Sequence, residues 1–194
     1  MILNLGSGEL PIKDAVNVDC YDTGYQDEIV DLTKLPWKWQ NNSIDDIYML
    51  HSLEHFPNPL DIIKECHRII KKGGFLFIVA PHSSSVSNIG TMGHYRTFGV
   101  FTFRDYLGKT FYHYDKPMFT TQIEKLLWLG FPRNNNNQFG INFSKPSIAK
   151  HSVVLRILNP LIQGMINLSP IAFERLWCHY VGGADEVVWK GIKI

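Results

Sequence analysis

The sequence predicts an α/β protein with a mostly parallel central sheet. Short apolar runs at residues 2–5, 15–19 and 28–31 each lead into a glycine or end at an acid. A nearly continuous apolar run at 75–80 is typical of a parallel strand that is buried on both faces. An amphipathic helix predicted at 59–72 separates it from the earlier strands. With 194 residues, 45% of them hydrophobic, the chain can form one domain with a sizeable core.

The first strand, at residues 2–5, runs directly into the glycine pair Gly6 and Gly8, and the second apolar run ends at Asp19. A doubly wound sheet holds a nucleotide-bearing cofactor with this arrangement, because glycine lets the ligand approach the backbone and the acid accepts hydrogen bonds from ribose. Residues 9–15 are too few for the usual crossover helix. We therefore expect a loop between the first two strands.

The third strand is predicted at 28–31 and the fourth at 45–51, with a loop between them in which Trp37 and Trp39 are expected to be exposed. A proline suits the first position of the helix that follows, and Asn58 can cap it. A lysine pair followed by two glycines is typical of a helix C-terminus, so we expect this helix to end there.

Composition excludes several classes of function. The formal net charge is +1, which does not favour a nucleic-acid partner or an anionic membrane surface. Three widely spaced cysteines, Cys20, Cys66 and Cys178, indicate reduced thiols in a cytoplasmic protein. No apolar run reaches about 18 residues, so we expect neither a transmembrane segment nor a signal peptide. The asparagine run at 134–137 is expected to be an exposed loop.

A set of motifs in fixed order makes the pattern specific. They are Leu-Asn-Leu-Gly-Ser-Gly at 3–8, Asn-Val-Asp at 17–19, Leu-Glu-His-Phe at 53–56, Lys-Lys-Gly-Gly at 71–74 and Ala-Pro-His at 80–82. Together they resemble the class I S-adenosylmethionine-dependent methyltransferases, and most closely the short variants of the type 11 group. The resemblance covers residues 2–107. It implies a Rossmann-like, doubly wound sheet of about seven strands that ends in an antiparallel pair.

The resemblance also organises the second half of the chain. We expect a single domain over 1–194, with a cofactor-binding half at 1–115 and a C-terminal half at 116–194. The antiparallel pair would come from 118–129 and 185–193, although 120–129 also fits a helix face. Two helices at 152–168 and 170–180 would cover the sheet.

S-adenosylmethionine is the cofactor that the resemblance implies. The backbone at Gly6 to Gly8 would face the methionine carboxylate and ribose, and Asp19 would accept both ribose hydroxyls. Asp31 and Leu32 match the adenine position, and His51 lies where the family contacts the methionine end. The expected cofactor-binding residues are Leu5, Gly6, Ser7, Gly8, Glu9, Asp19, Cys20, Asp31, Leu32 and His51.

Methyl transfer from a sulfonium requires the acceptor and the methyl group to be held in line, and a base helps when the acceptor loses a proton. Histidine suits that role near neutral pH. We expect His82 or His94 to be the base, with Arg96 and Tyr95 orienting the substrate. His55 is expected to be structural. No metal is expected, because His51 and His55 leave a strand and do not share a helix face.

The resemblance to the short type 11 proteins favours a glycan or small-molecule hydroxyl as the acceptor. Two other functions stay open. A nicotinamide-linked oxidoreductase would need a third glycine where Pro11 stands, together with a helix start. A methyltransferase-like scaffold that binds cofactor weakly is compatible with the shortened first crossover.

Overall fold

The computed structural model of the protein describes residues 1–85, 88, 90–104, 117–130, 138–144, 153–178 and 183–194. A seven-stranded sheet has the order β3-β2-β1-β4-β5-β7-β6. Its strands are β1 (Ile2–Leu5), β2 (Val16–Asp19), β3 (Glu28–Ile29), β4 (Ile44–Leu50), β5 (Ile70–Pro81), β6 (Phe119–Leu127) and β7 (Glu186–Lys193). Strands β1 to β5 are parallel, and β7 runs antiparallel to both β5 and β6. The predicted fold class and its antiparallel pair are confirmed, and β6 is a strand.

Helices cover one face of this sheet. They are α1 (Pro59–Ile69), α2 (Val100–Phe103), α3 (Val153–Leu168) and α4 (Pro170–Ala172), which continues as one wider turn over Phe173–Trp177. Apolar side chains of α1, α2 and α3 join the larger core cluster. The predicted helices at 152–168 and 170–180 are therefore present within the described residues. None of the helices described is long and apolar enough to cross a membrane. The predicted loop at 134–137 lies outside the described residues.

The connection between β1 and β2 contains no helix, as the sequence predicts. Ile12 instead forms a bridge with Phe143, and Lys13 N donates to the carbonyl of Asn142 at 2.8 Å. Ile12, Ile141 and Phe143 pack with Val79 in a second core cluster. Irregular segments therefore cover the sheet on this side, where a crossover helix would otherwise lie.

The predicted end of helix α1 is wrong. The helix ends at Ile69, and Ile70 already pairs with Ile44 as the first residue of β5. The lysine pair and the glycines therefore belong to the strand, and a Cβ on Gly74 would lie 2.0 Å from the Asp45 carbonyl oxygen. Pairing with β4 overrides the local signal for a helix C-terminus. Asn58 occupies the N-cap position but makes no side-chain capping bond.

The expected exposure of the two tryptophans is also wrong. Trp37 and Trp39 are 5% and 8% exposed and contact each other edge to face. Trp37 Nε1 donates to the Leu32 carbonyl at 3.1 Å, and its backbone N donates to Glu65 Oε1 at 2.7 Å. These bonds satisfy the polar groups of a buried loop, so the loop packs under the sheet as part of the core.

Candidate functional site

A cavity of 510 Å³ opens at the carboxyl ends of β1, β2 and β4. The chain places β2 and β3 on one side of β1 and then returns to place β4 on the other side, so this is the switch point at which doubly wound sheets bind ligands. We call it the glycine-loop cavity. It is lined by Gly6, Gly8, Asp19, Cys20, Tyr21, Val30, Asp31, Leu32, Thr33, His51, Ser52, His55, Phe56, Gly93 and Tyr95.

Most of the predicted cofactor residues line this cavity, and three do not. Leu5 is fully buried and its carbonyl accepts a bond from Ser52 Oγ at 2.9 Å. Ser7 is only 2% exposed, so it is buried within the loop. Glu9 is exposed, and it is not among the residues that line the cavity. Their assignment to the cofactor stays a prediction.

The glycine loop needs its glycines for two different reasons. Both adopt the left-handed backbone conformation, with φ of +69° at Gly6 and +47° at Gly8. A Cβ on Gly6 would lie 2.3 Å from Ser52 Cβ, whereas a Cβ on Gly8 would meet nothing within 4 Å. Gly6 therefore allows β1 and β4 to pack closely, and Gly8 keeps open space at the cavity.

The backbone donors of the glycine loop are already used within the protein. Gly6 N and Ser7 N both donate to the Val18 carbonyl, at 2.8 and 3.0 Å. Gly8 N donates to Asp19 Oδ2 at 2.8 Å. These N–H groups are not free to bind the methionine carboxylate, so the loop fits the ribose side of the cofactor better than the carboxylate.

The carboxylate of Asp19 is held by backbone N–H groups at the end of β2. Besides the bond from Gly8, Oδ1 accepts from Cys20 N at 2.7 Å and from Tyr21 N at 3.3 Å. A carboxylate has about four lone-pair sites, which leaves capacity for a ribose hydroxyl. The side chain is thus oriented before a ligand arrives, and its chemistry fits the nucleoside part of S-adenosylmethionine.

Asp31 and Leu32 form the adjoining wall, where the adenine position is expected. Hydrogen bonds from the side chain and backbone of Thr33 hold the pKa of Asp31 below its usual value. Lys34 Nζ lies 3.4 Å from the other carboxylate oxygen. Asp31 is therefore ionised at neutral pH and suited to accept a bond from an amine, while buried Leu32 supplies apolar surface.

His51 stands at the end of β4 with φ of +54°, between two buried carboxylates. Its Nε2 lies 2.9 Å from Glu186 Oε1, and its Nδ1 lies 3.7 Å from Glu54 Oε1. Burial opposes the charged imidazole, but the two carboxylates outweigh it and raise the pKa of His51 to about 9. The cavity wall therefore includes an imidazolium, which is backed by two buried acids.

The candidate bases lie in different surroundings. His82 is fully buried at the end of β5, where Nδ1 lies 2.7 Å from Ser84 Oγ and Nε2 lies 3.1 Å from Glu174 Oε1. It is not among the residues that line the glycine-loop cavity. His94 is half-buried, and its ring centroid lies 4.9 Å from that of His55. Partial burial lowers the pKa of His94 and favours its neutral form.

Arg96 lines a second cavity of 520 Å³ beside the start of α1, which we call the Arg96 cavity. Its lining is Pro57, Asn58, Pro59, Leu60, Asp61, Ile63, Arg96, Thr97, Phe98, Thr102 and Phe103. The two cavities adjoin, because Phe56 and Tyr95 line the first while their chain neighbours Pro57 and Arg96 line the second.

Sequence reasoning missed part of the cavity wall. Tyr21 and Ser52 directly follow predicted functional positions, so their place in the chain was a usable signal. His55 was expected to be structural, yet it is exposed on the cavity. His55 Nδ1 forms a hydrogen bond with the Gly93 carbonyl at 3.1 Å, which holds the two residues together. No local sequence pattern predicts this contact.

Comparison with known proteins gives a family match for one segment of the chain. Residues 14–78 match the type 11 methyltransferase family model, described as "Methyltransferase domain". Over these residues the chain is similar to the type 11 methyltransferases, and the match covers about a third of its length. S-adenosylmethionine is the cofactor that this family implies, and the composition of the glycine-loop cavity is consistent with it. No functionally curated protein matches the sequence.

Solved structures support the same fold at low sequence identity. The chain aligns with a SAM-dependent methyltransferase from Archaeoglobus fulgidus at 14% identity and a TM-score of 0.56, covering 99% of this chain and 85% of that one. An S-adenosylmethionine-dependent methyltransferase from Mesorhizobium loti aligns at 14% identity and 0.51, covering 99% and 90%. The [4+2]-cyclase SpnF also aligns, at 12% identity and 0.51, covering 99% and 73%.

Proposed function

We propose that this domain binds S-adenosylmethionine in the glycine-loop cavity and transfers its methyl group to a hydroxyl of a small molecule or glycan. The observation that carries the proposal is the pre-oriented Asp19 carboxylate at the switch point of the sheet. When bound, the cofactor supplies an activated methyl group on a sulfonium. The protein then needs only to position the acceptor and exclude water.

The Arg96 cavity is the proposed acceptor site because it adjoins the glycine-loop cavity. Asn58, Asp61, Thr97 and Thr102 provide hydrogen-bonding groups, and Arg96 adds five N–H donors. Such a lining suits a polyhydroxyl acceptor. His94 is flanked in the chain by Gly93 and Tyr95, which line the glycine-loop cavity, and it is the proposed proton acceptor because its lowered pKa favours the neutral imidazole.

Calorimetry with S-adenosylhomocysteine tests the cofactor site. We expect binding to the wild type, and we expect Asp19→Ala to lose about 1.5–3 kcal/mol, because a hydrogen bond to a charged acceptor disappears. That loss weakens binding roughly tenfold or more. Asp22→Ala is the matched control, since Asp22 is exposed and is not part of the cavity lining. Equal affinity of the wild type and Asp19→Ala would refute this site.

The acceptor site is tested separately. Wild-type protein is incubated with the cofactor and a panel of sugars and small alcohols, and formation of S-adenosylhomocysteine is measured. Arg96→Ala should raise the KM of the acceptor without changing affinity for the demethylated cofactor. If Arg96→Ala also lost affinity for the demethylated cofactor, the assignment of Arg96 to the acceptor site would be wrong.

A scaffold is the second candidate function, and one observation favours it. The N–H groups of the glycine loop are bound to Val18 and Asp19, which leaves the methionine carboxylate without these donors. A scaffold would bind S-adenosylhomocysteine weakly or not at all in the same calorimetric experiment. Binding in the low micromolar range together with turnover would exclude this reading.

A further inference from the structure

Glu54, His55 and His94 form a cluster beside the glycine-loop cavity, and His55 is part of the cavity lining. One ligand atom of each lies within 4.8 Å of the others. Glu54 and His55 belong to a short turn after β4, at Leu53–His55, and His94 comes from a loop that follows β5. We propose that these three side chains form a binding site for one divalent transition-metal ion such as Zn²⁺ or Co²⁺.

Two of the three residues carry a buried polar atom that needs a partner. Within the described part of the chain, Glu54 Oε2 and His94 Nδ1 are buried and have no hydrogen-bond partner. The Glu54 side chain is only 1% exposed, so its free oxygen cannot be satisfied by bulk water. A buried polar atom left unpaired is costly, and coordination of a cation removes that cost.

The tautomer of His55 suits metal binding. Its Nδ1 lies 3.1 Å from the Gly93 carbonyl, and a carbonyl can only accept. Nδ1 therefore carries the proton, which leaves the lone pair on Nε2 for a metal. In metal sites, the ring nitrogen of a histidine that does not bind the metal often donates to a backbone carbonyl, which fixes the orientation of the ring.

The loop that carries His94 is held against the turn that carries the other two ligands. Tyr95 N donates to the Glu54 carbonyl at 2.8 Å, on the residue next to His94. The rings of His55 and His94 meet edge to face, with centroids 4.9 Å apart. Tetrahedral coordination at about 2.1 Å needs ligand atoms about 3.4 Å apart, so closing the site requires side-chain shifts of about 1 Å.

The local charge also favours a cation. His51 is the basic side chain that lies between the carboxylates of Glu54 and Glu186. His51 lies closer to Glu186, at 2.9 Å against 3.7 Å, which leaves Glu54 the less compensated acid. Two imidazoles and one carboxylate are a ligand set that suits Zn²⁺, Co²⁺ or Fe²⁺ better than Mg²⁺ or Ca²⁺.

The metal site goes beyond the proposed methyl transfer. Three protein ligands leave a fourth coordination position for water or an acceptor oxygen. His55 lines the glycine-loop cavity, so the ion would lie beside the proposed cofactor. With a metal bound, His94 acts as a ligand and no longer as a proton acceptor, which makes the two roles distinguishable by metal removal.

The test is titration of purified, chelator-treated protein with Co²⁺, followed by visible absorption and by competition with Zn²⁺. We expect one equivalent to bind and Zn²⁺ to displace it. His55→Ala and His94→Ala should each weaken binding roughly tenfold or more, and Glu54→Gln should do the same. His67→Gln is the control, because His67 packs against Phe119 and is not part of the cluster.

The outcome does not depend on cofactor binding or turnover, so failure of this site and failure of the proposed function can be told apart. Circular dichroism checks that each variant is folded. If Glu54→Gln does not fold, the two histidine variants decide the question, since His55 is exposed and His94 is half-buried. Absence of Co²⁺ binding to the wild type, or unchanged affinity in both histidine variants, would overturn the proposal.

Discussion

The two loop glycines should respond very differently to the same small substitution. In Gly6→Ala the new Cβ would lie 2.3 Å from Ser52 Cβ and 2.9 Å from Ser52 Oγ. Holding alanine in the left-handed conformation costs about 1–2 kcal/mol. Forcing an extra methyl into a packed contact adds about 1–3 kcal/mol. We therefore expect Gly6→Ala to lower the free energy of unfolding by about 2–5 kcal/mol.

Gly8→Ala carries the same kind of backbone cost without the collision, because nothing lies within 4 Å of its Cβ position. The expected loss is about 1–2 kcal/mol. Affinity for S-adenosylhomocysteine should fall instead, since the methyl group enters space at the cavity. Gly6 is therefore expected to be needed for packing, and Gly8 for binding of the ligand.

Urea unfolding followed by circular dichroism measures both variants. A double variant, Gly6→Ala with Ser52→Gly, isolates the collision, because it removes the atoms that the new Cβ meets. Ser52→Gly alone loses the bond from Ser52 Oγ to the Leu5 carbonyl, at about 1 kcal/mol. The double variant should be more stable than the sum of the single losses by at least about 1 kcal/mol. Equal losses in Gly6→Ala and Gly8→Ala, or strictly additive effects, would refute this reasoning.

Two further predictions concern buried groups and thiols. Lys193 Nζ donates to the carbonyls of His67 and Ile70 at 2.6 and 2.7 Å. Lys193→Met should therefore lower the free energy of unfolding in urea by about 2 kcal/mol, whereas Lys38→Met, at an exposed ion pair, should lower it by under about 1 kcal/mol. Similar losses in the two variants would contradict this prediction. Exposed Cys20 should react with a maleimide while buried Cys66 does not. Partial burial and the Asp19 carboxylate raise the pKa of Cys20, so its rate should keep rising with pH above the usual thiol range, and S-adenosylhomocysteine should slow it. Labelling of Cys20 at the same rate with and without the ligand would mean that the ligand does not cover this wall.

Features with a local cause were predictable from the sequence. The strand, glycine turn and acid around Gly6 and Asp19 are specified by neighbouring residues, and they lie where the pattern predicts. The missing crossover helix was predictable too, because the count of residues between β1 and β2 is too small for one. Conformational limits on glycine and on chain length act over a few residues, so a single sequence reveals them.

Features decided by distant pairing were not predictable. Helix α1 stops early because Ile70 pairs with Ile44. Trp37 is buried with its two N–H groups bonded to Glu65 and Leu32, and Trp39 packs edge to face against it. The lysine–glycine run favours a helix end and the aromatic loop favours exposure, but the tertiary contacts contribute more to stability than these local preferences. For the end of α1 a β-ladder outweighed local propensity, and for Trp37 two buried hydrogen bonds did so.

The sequence by itself determined the class of sheet, the glycine loop and the acid at the end of β2, since each follows from the backbone preferences of adjacent residues. Only the tertiary structure decided that Gly6 packs against Ser52, that Arg96 lines a cavity next to the first, and that Glu54, His55 and His94 converge. These side chains come from segments about 40 residues apart or more, and the order of strands in the sheet brings them together. Their chemistry depends on burial and distance, which no local pattern encodes.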